Sequence, residues 1–436
     1  MRAFAGTNIR KLVAGTVGNT LEWYDFAVYG YLAPIIAHQF FPSDDPAVSL
    51  ISTFGVFAAG FLMRPIGSLV LGHVADKMGR SRALLLSVAL MAIPTTLIAF
   101  LPTYEQIGVA APVLLTLLRL LQGLSVGGEY TGSSVYLYEI APKRHRCFVV
   151  SWALVGSTFG ILLGSGVAAL ATGLLPQDDL GSWGWRVPFA FGLLVGLTGF
   201  IIRSGTKAAE TDLPPSPRDP VNVPVGEVIR NHRPALLRTI ACNILNGVGF
   251  YLTFVYLTSY LVDYSKLSES RALTINTSVM IVMMLLLPLL GYLADRIGRR
   301  PLLLAGSGGV ALFALPMFWL VHHHDPALVV AGQLGMAVIL ACFFAPLMAT
   351  MIAQFPVSVR VTGYSIGYNI PLAIFGGTAP LVATYLIDKT HLQLAPAFYM
   401  IAAGVVAFAV IWFMPDEGSR EGLESEAEPV GAGAEA

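Results

Sequence analysis

Several side chains in this sequence can do chemistry that their surroundings make costly. Glu22 and Asp25 stand in one run of apolar and aromatic residues, Arg64 in a second, and Arg119 and Glu129 in a third. A carboxyl group held away from water can take up and release a proton, because burial disfavours its charged form. A buried guanidinium can hold a carboxylate through its two-pronged fork. Placing one such charge at the centre of a membrane span costs ~2.5–3.5 kcal/mol, so residues of this kind are functional candidates by default. Asp25, Glu129 and Glu22 are the candidate proton-coupling residues. Arg64 and Arg119, with Gln122 three residues on, are candidate substrate anchors. The competing reading is static: Glu22, Arg64, Arg119 and Glu129 as ion pairs that hold helices together.

At about 100° per helical residue, Arg119, Gln122 and Glu129 fall within an arc of about 80°. Asn19, Glu22 and Tyr29 share a stripe, with Asp25 about 60° aside. Tyr29, one turn after Asp25, is placed to hydrogen-bond it. The second half of the chain has no deep charge and offers aromatic and neutral polar groups instead: Asn243, Asn246, Phe250, Tyr251, Tyr256, Tyr260, and later Tyr364, Tyr368 and Asn369. Tyr29, Trp152, Asn246, Tyr251, Tyr256, Tyr368 and Asn369 are the candidate lining of a substrate pocket. On this division the first half handles protons and the second shapes the pocket.

The elements that must position these groups are membrane spans. Of 436 residues, 55% are hydrophobic and only 12% charged, and the mean hydropathy is +0.70. A span needs roughly 20 apolar residues. Twelve such runs are read: 13–37, 50–75, 83–101, 110–139, 147–173 and 186–203, then 236–262, 271–293, 301–321, 327–353, 361–387 and 393–414. Backbone groups in lipid must bond internally, so these are helices, and no alternating ten-residue strands suggest a barrel. The fold class is an all-α membrane protein of twelve transmembrane helices. Arg2, Arg10 and Lys11 precede an apolar run, as in a signal peptide. Glu22 and Asp25 within that run, and the lack of a small-residue cleavage site, mark it as a retained first span.

Charge placement sets the orientation. Of the 26 lysines and arginines, Arg186, Lys266, Arg271 and Lys389 fall on one side, Arg64 and Arg119 lie within spans, and the other twenty fall on the opposite side. This positive-inside bias puts both termini in the cytoplasm. The longest gap, 204–235, carries Pro214, Pro215, Pro217 and Pro220, which forbid a continuous helix. The expected organisation is an N-terminal six-helix bundle (1–203), a cytoplasmic linker (204–235), a C-terminal six-helix bundle (236–414) and a disordered tail (415–436).

The halves repeat. Gly72-His73-Val74-Ala75-Asp76-Lys77-Met78-Gly79-Arg80 ends span two, and Gly291-Tyr292-Leu293-Ala294-Asp295-Arg296-Ile297-Gly298-Arg299 ends span eight. Pro142 with Arg146 and Pro356 with Arg360 form a second echo. Repeats at equivalent places imply two pseudo-symmetric bundles with a site between them. Gly72 and Gly291 allow close helix approach. Asp76 and Asp295 stand within reach of Arg80 and Arg299 or of another helix N-terminus.

The doubled loop in a chain of six plus six spans resembles the major facilitator superfamily over nearly the whole length. Gly18-Asn19 with Glu22-Trp23-Tyr24-Asp25-Phe26, Arg64-Pro65 with Gly67, Arg119 with Gln122-Gly123, Gly127-Gly128-Glu129-Tyr130-Thr131-Gly132, and Gly376-Gly377 with Pro380 are similar to its metabolite:proton symporter branch. Permeases for dicarboxylates, citrate, shikimate and proline or betaine belong there. The resemblance implies alternating access. It also implies that the loop aspartates latch a cytoplasmic gate, for which Gly72, Asp76, Arg80, Gly291, Asp295, Arg299, Glu139, Arg146 and Arg360 are the candidates. The alternative is a mere topology signal.

The expected function is import of a small organic metabolite, an organic acid or a zwitterion such as proline or betaine, by proton symport. A proton-coupled exporter or a facilitator is the alternative. Drug antiporters of this superfamily carry a Gly-Pro pair in span five, where this chain has Gly156, Gly160 and Gly164 in a spacing that suits packing. No G-x-x-x-x-G-K-[ST] loop provides for ATP, and no catalytic cluster suggests an enzyme. Zero net charge gives nucleic acid no purchase. His322-His323-His324 reads as a wetted loop, and Cys147, Cys242 and Cys342 are too scattered for a disulfide framework or a zinc site. No cofactor or metal is expected. The partners are a small organic metabolite, protons and the lipid bilayer. The expected setting is a bacterial-type inner (plasma) membrane, with the chain working as a monomer.

Overall fold

The computed structural model describes residues 20, 22–67, 80–125, 129–205 and 224–415. Gly72, Asp76, Asn19 and the tail from 416 lie outside these, as do the side chains of Arg80 and Glu129. The described residues hold helices and no strand. Nine of the described helical stretches are long and apolar enough to cross a membrane.

The first span comprises α1 (22–31) and α2 (Ala33–Phe40), which meet at Leu32 just before Pro34. Next come α3 (Pro46–Leu62), α4 (Arg80–Ala99), α5 (Ala110–Ser125), α6 (Glu129–Ile140), α7 (Arg146–Leu174) and α8 (Arg186–Gly205). Among the described residues of the interval 204–235 lies a short helix, α9 (Pro224–Asn231). The second half runs α10 (Arg233–Tyr251), α11 (Leu257–Asp263), α12 (Glu269–Ile297), α13 (Arg299–Val321), α14 (Pro326–Ile352), α15 (Arg360–Pro371), α16 (Ala379–Thr390) and α17 (Ala395–Trp412).

The starts of these helices follow from sequence. Asp45 before Pro46 and Asp325 before Pro326 each accept a backbone N–H two residues on, at 2.9 Å. A cap of this kind satisfies an otherwise orphaned donor, and proline at the first position gives up no hydrogen bond.

Among the described residues, two further spans are not continuous α-helices. Leu252–Tyr256 joins α10 to α11 as a π-helical turn, and Leu372–Gly376 joins α15 to α16 in the same way. The second follows Pro371, and its wider ring closes where Gly377 N–H donates to Leu372 C=O at 2.8 Å. Turns of this type gather at functional sites. In the first, Asn276 donates to Phe254 C=O at 3.2 Å, and Gln333 donates to Thr253 C=O at 3.0 Å and to Asn276 Oδ1 at 2.7 Å. Two buried amides thus supply partners to a loosened stretch of backbone, as an apolar medium requires.

The halves meet along α7 and α12, along α3 and α16, and along α6 and α15. Apolar side chains such as Leu285, Leu289, Leu312 and Trp319 face outward, whereas Glu22, Asp25, Arg64, Arg119 and Gln122 are buried. Gly160 and Gly164 pack against the first span, where added side chains would meet Thr20 C=O and Ala27.

Candidate substrate and proton site

A cavity of about 30 Å³ lies between the two halves. Trp23 of α1 and Tyr130 of α6 line it from the first half, and Asn246, Phe250, Tyr251 and Tyr368 from the second. Trp23 and Tyr130 stand edge to face at 5.5 Å between ring centroids, and Tyr130 lies 5.1 Å from Tyr368. The rings form a box whose walls come from both bundles. The hydroxyl of Tyr251 and the indole N–H of Trp23 have no hydrogen-bond partner among the described residues.

Arg64 lies beside this box. Its guanidinium carbon is 4.1 Å from the ring centroid of Phe61, 4.6 Å from Phe26 and 5.2 Å from Trp23. Its Nε and Nη2 find no hydrogen-bond acceptor among the described residues. Arg119 is stacked at 4.3 Å on Tyr29 and 4.8 Å on Phe26, and its Nε and Nη2 are likewise without an acceptor. Ring faces partly offset the desolvation of a cation, but the unused N–H groups remain available to an anion.

Asp25 sits behind the box. It is two residues from Trp23, which on a helix is about 200°, so the two face nearly opposite ways. Thr95 on α4 donates its hydroxyl to Asp25 Oδ2 at 2.7 Å. Gln122 Nε2 donates to Thr95 Oγ1 at 2.6 Å, and Arg119 Nη1 donates to Gln122 Oε1 at 2.8 Å. These four side chains form one buried chain across α1, α4 and α5. Gly192 of α8 closes the back of it, since a Cβ there would come within 2.6 Å of Thr95 Cγ2 and 3.3 Å of Asp25 Oδ1. Tyr29, expected to bond Asp25, donates instead to Thr53 C=O at 3.0 Å.

Of the expected pocket residues, Asn246, Tyr251 and Tyr368 line the cavity, whereas Arg64, Arg119, Gln122 and Tyr29 lie behind it in the first half. Tyr256 is displaced along its span, 6.1 Å from Phe54 and 6.2 Å from Tyr260. Trp152 packs at 6.4 Å against Phe148, and Asn369 is half-buried outside the cavity lining. Glu22 is buried, and the helix α6 begins at Glu129. Trp23, Tyr130 and Thr95 were not singled out from sequence. Tyr130 lay in a glycine-rich motif and Trp23 between two acids, so an aromatic residue inside a charged motif was the available signal.

At the basic end of the molecule, side chains of one half contact the other. Asp295 at the end of α12 accepts Cys147 N–H and Phe148 N–H through its two oxygens, each at 2.9 Å. A carboxylate thereby caps the N-terminus of α7, where unsatisfied N–H groups and the helix dipole favour an anion. A Cβ on Gly291 would stand 2.9 Å from Cys147 C=O, so the contact needs glycine there. Arg360 meets Glu139 at 3.4 Å and lies over Tyr138. Arg146 donates to the Tyr138 hydroxyl at 2.8 Å. Arg299 reaches Ala349 C=O at 3.5 Å. Elsewhere, the three consecutive histidines bond three different neighbours: His322 the Tyr260 hydroxyl, His323 Trp319 C=O and His324 Ser265 C=O.

Comparison with known proteins bears on this arrangement. The profile of the Major Facilitator Superfamily matches residues 16–366 and again 239–435. A proline/betaine transporter of Salmonella typhimurium is 34% identical over 421 residues, covering 94% of this chain and 84% of the relative. A glycine betaine/proline/ectoine/pipecolic acid transporter of Dickeya dadantii is 35% identical over 421 residues, with the same coverage. A solved proton:xylose symporter superposes with a TM-score of 0.74 at 17% identity, covering 95% of this chain and 98% of that one. A partially occluded, inward-open form of the Escherichia coli xylose transporter gives 0.73 at 17% identity, over 93% and 97%. The likeness to these two structures is one of fold.

Proposed function

This chain belongs to the major facilitator superfamily, a family of secondary transporters, and we propose that it imports a small zwitterion of the betaine or proline class together with a proton. The observation that carries the substrate class is the aromatic box of Trp23, Tyr130, Tyr251 and Tyr368 with the buried Arg64 guanidinium beside it. Ring faces carry negative potential and bind an alkylated ammonium. The same faces do nothing for a carboxylate, which Arg64 attracts once the cavity widens. A dicarboxylate would leave the box unused. The names of the relatives, proline/betaine transporters among them, support the same class.

Asp25 is the proton site. It is a buried carboxyl on the face of α1 opposite Trp23, so one helix links the two sites, and a shift of α1 is felt by both. Glu22 and Glu129 are the secondary candidates. The mechanism is alternating access: bundles 1–203 and 236–414, joined by the linker 204–235, rock about the box. The contact of Asp295 with α7, reinforced by Arg360, Glu139 and Arg146, latches the basic end. That end is cytoplasmic by the charge bias, which also puts both termini on the cytoplasmic side, and the setting is a bacterial inner membrane. Both sites and the latch lie within one chain, in keeping with a working monomer.

The test is binding to the purified carrier by isothermal titration. Glycine betaine and proline are expected to bind, and succinate and citrate at least tenfold more weakly. Tighter binding of a dicarboxylate would overturn the substrate class. Uptake of glycine betaine into proteoliposomes driven by a pH gradient tests the coupling ion.

A further inference from the structure

We propose that Thr95 is the positioning residue through which Asp25 changes its protonation state while Asp25 Oδ2 and Thr95 Oγ1 both keep hydrogen-bond partners. This inference rests on Asp25 being the proton site. The direction of every hydrogen bond in the chain is fixed from one end. Arg119 can only donate, so the Gln122 oxygen faces it and the Gln122 amide nitrogen faces Thr95. Thr95 Oγ1 therefore accepts from Gln122 and has one hydrogen left to give. Two acceptors lie within reach of that hydrogen: Asp25 Oδ2 at 2.7 Å and the carbonyl of Met91, one turn back on α4, at 2.8 Å.

The two acceptors correspond to two protonation states. With Asp25 ionised, the Thr95 hydroxyl donates to Oδ2. When a proton arrives and forms an O–H bond on Oδ2, that O–H donates to Thr95 Oγ1, and the threonine hydrogen rotates to Met91 C=O. Thr95 then accepts from both Asp25 and Gln122, within the capacity of a hydroxyl. Only the arriving proton is gained; threonine, glutamine and arginine keep theirs. Asp25 Oδ2 and Thr95 Oγ1 thus keep hydrogen-bond partners in both states, which matters because an unpaired polar group in an apolar interior is costly.

The surroundings hold the oxygen still while its hydrogen moves. Thr95 is fully buried, and Gly192 on α8 leaves only enough room for its methyl group. Arg119 on α5 acts on Asp25 through its charge, and the buried Glu22 stands one turn back on α1. α8 presents Gly192, and the neighbouring Tyr24 hydroxyl is engaged by Pro188 C=O at 2.7 Å.

Thr95→Val keeps the shape and removes the hydroxyl, and Thr95→Ser restores it. The first readout needs no substrate. Infrared difference spectra of the purified carrier across pH are expected to contain a protonated-carboxyl band that disappears in Asp25→Asn. In Thr95→Val that band moves to higher frequency, as a carboxyl does on losing a partner, and in Thr95→Ser it stays. The second readout is transport in proteoliposomes with glycine betaine. Thr95→Val keeps counterflow within twofold and loses pH-driven accumulation at least fivefold, and Thr95→Ser keeps both. Thr95→Ala replaces Thr95→Val if the latter fails to reconstitute. A band and an accumulation ratio in Thr95→Val equal to wild type, with Asp25→Asn still affected, would overturn the role of Thr95 alone. No band change and full accumulation in Asp25→Asn would overturn the proton site and this inference with it.

Discussion

The two buried arginines have the same chemistry and different surroundings, and they should fail differently. Arg64 stacks on Phe61 and Phe26 beside Trp23, which lines the cavity. Arg119 is tied through Gln122 and Thr95 to Asp25. Lysine keeps the charge of either but loses the planar fork and the ring stacking. Arg64→Lys is expected to weaken glycine betaine binding by tenfold or more, roughly 1.4 kcal/mol. Arg119→Lys is expected to leave binding within a few fold and to reduce pH-driven accumulation relative to counterflow. Titration calorimetry and proteoliposome uptake on the same preparations separate the two, and an interchange of these effects would reassign the sites. In the box, Tyr251→Phe keeps the ring face and should bind within twofold of wild type, whereas Tyr251→Leu should lose tenfold or more. Equal losses would mean that the hydroxyl, and not the ring, meets the ligand.

At the scale of elements, hydropathy made the spans legible, because an apolar run of about twenty residues has few alternatives in lipid. The run read at 147–173 is the helix Arg146–Leu174, and that read at 301–321 is Arg299–Val321. The partners of polar residues were not legible. Asp25 was placed with Tyr29 on helical spacing, yet Thr95 on another span bonds it, because rotation of each helix is set by packing that one segment does not encode. The π-helical turns in the seventh and eleventh spans left no periodic signal either. The sequence offers Asp295 two kinds of partner, an arginine or a helix N-terminus, and the structure pairs it with the N-terminus of α7. That contact yields a prediction through a native reporter. Cys147 is fully buried under it. Asp295→Asn can accept only one of the two N–H groups, and Gly291→Leu drives a side chain into Cys147 C=O. Both variants are expected to lower uptake at least fivefold and to speed alkylation of Cys147, followed by peptide mass mapping. Wild-type rates of both would reduce the loop motif to a topology signal.

For the whole molecule, the question is whether the bundles must separate at each end in turn. Among the described residues, two hydroxyl pairs bridge them. Thr131 meets Ser365 at 2.8 Å, and Ser165 meets Thr277 at 2.7 Å. Thr131 lies nine residues before the end of α6 and Ser365 five residues into α15, so the first pair belongs to the basic half of the molecule. Ser165 is nineteen residues into α7 and Thr277 only eight into α12, which at ~1.5 Å per residue puts the second pair toward the opposite end. The cavity of about 30 Å³ lies between the two pairs. If the bundles rock about this cavity, a solute passes to or from either face only after the pair on that side parts. Cysteines at Thr131 and Ser365, or at Ser165 and Thr277, would join the bundles covalently at one end. Each cross-link, introduced after replacing the three native cysteines, is expected to abolish glycine betaine uptake, and a reductant should restore it. The two locks should differ in sidedness. With the first pair joined, an impermeant thiol reagent should reach a cysteine at Tyr251 only from the outer face; with the second joined, only from the cytoplasmic face. Transport that survives either lock, or labelling from the same face in both, would exclude rocking of the two bundles as the motion that carries the solute.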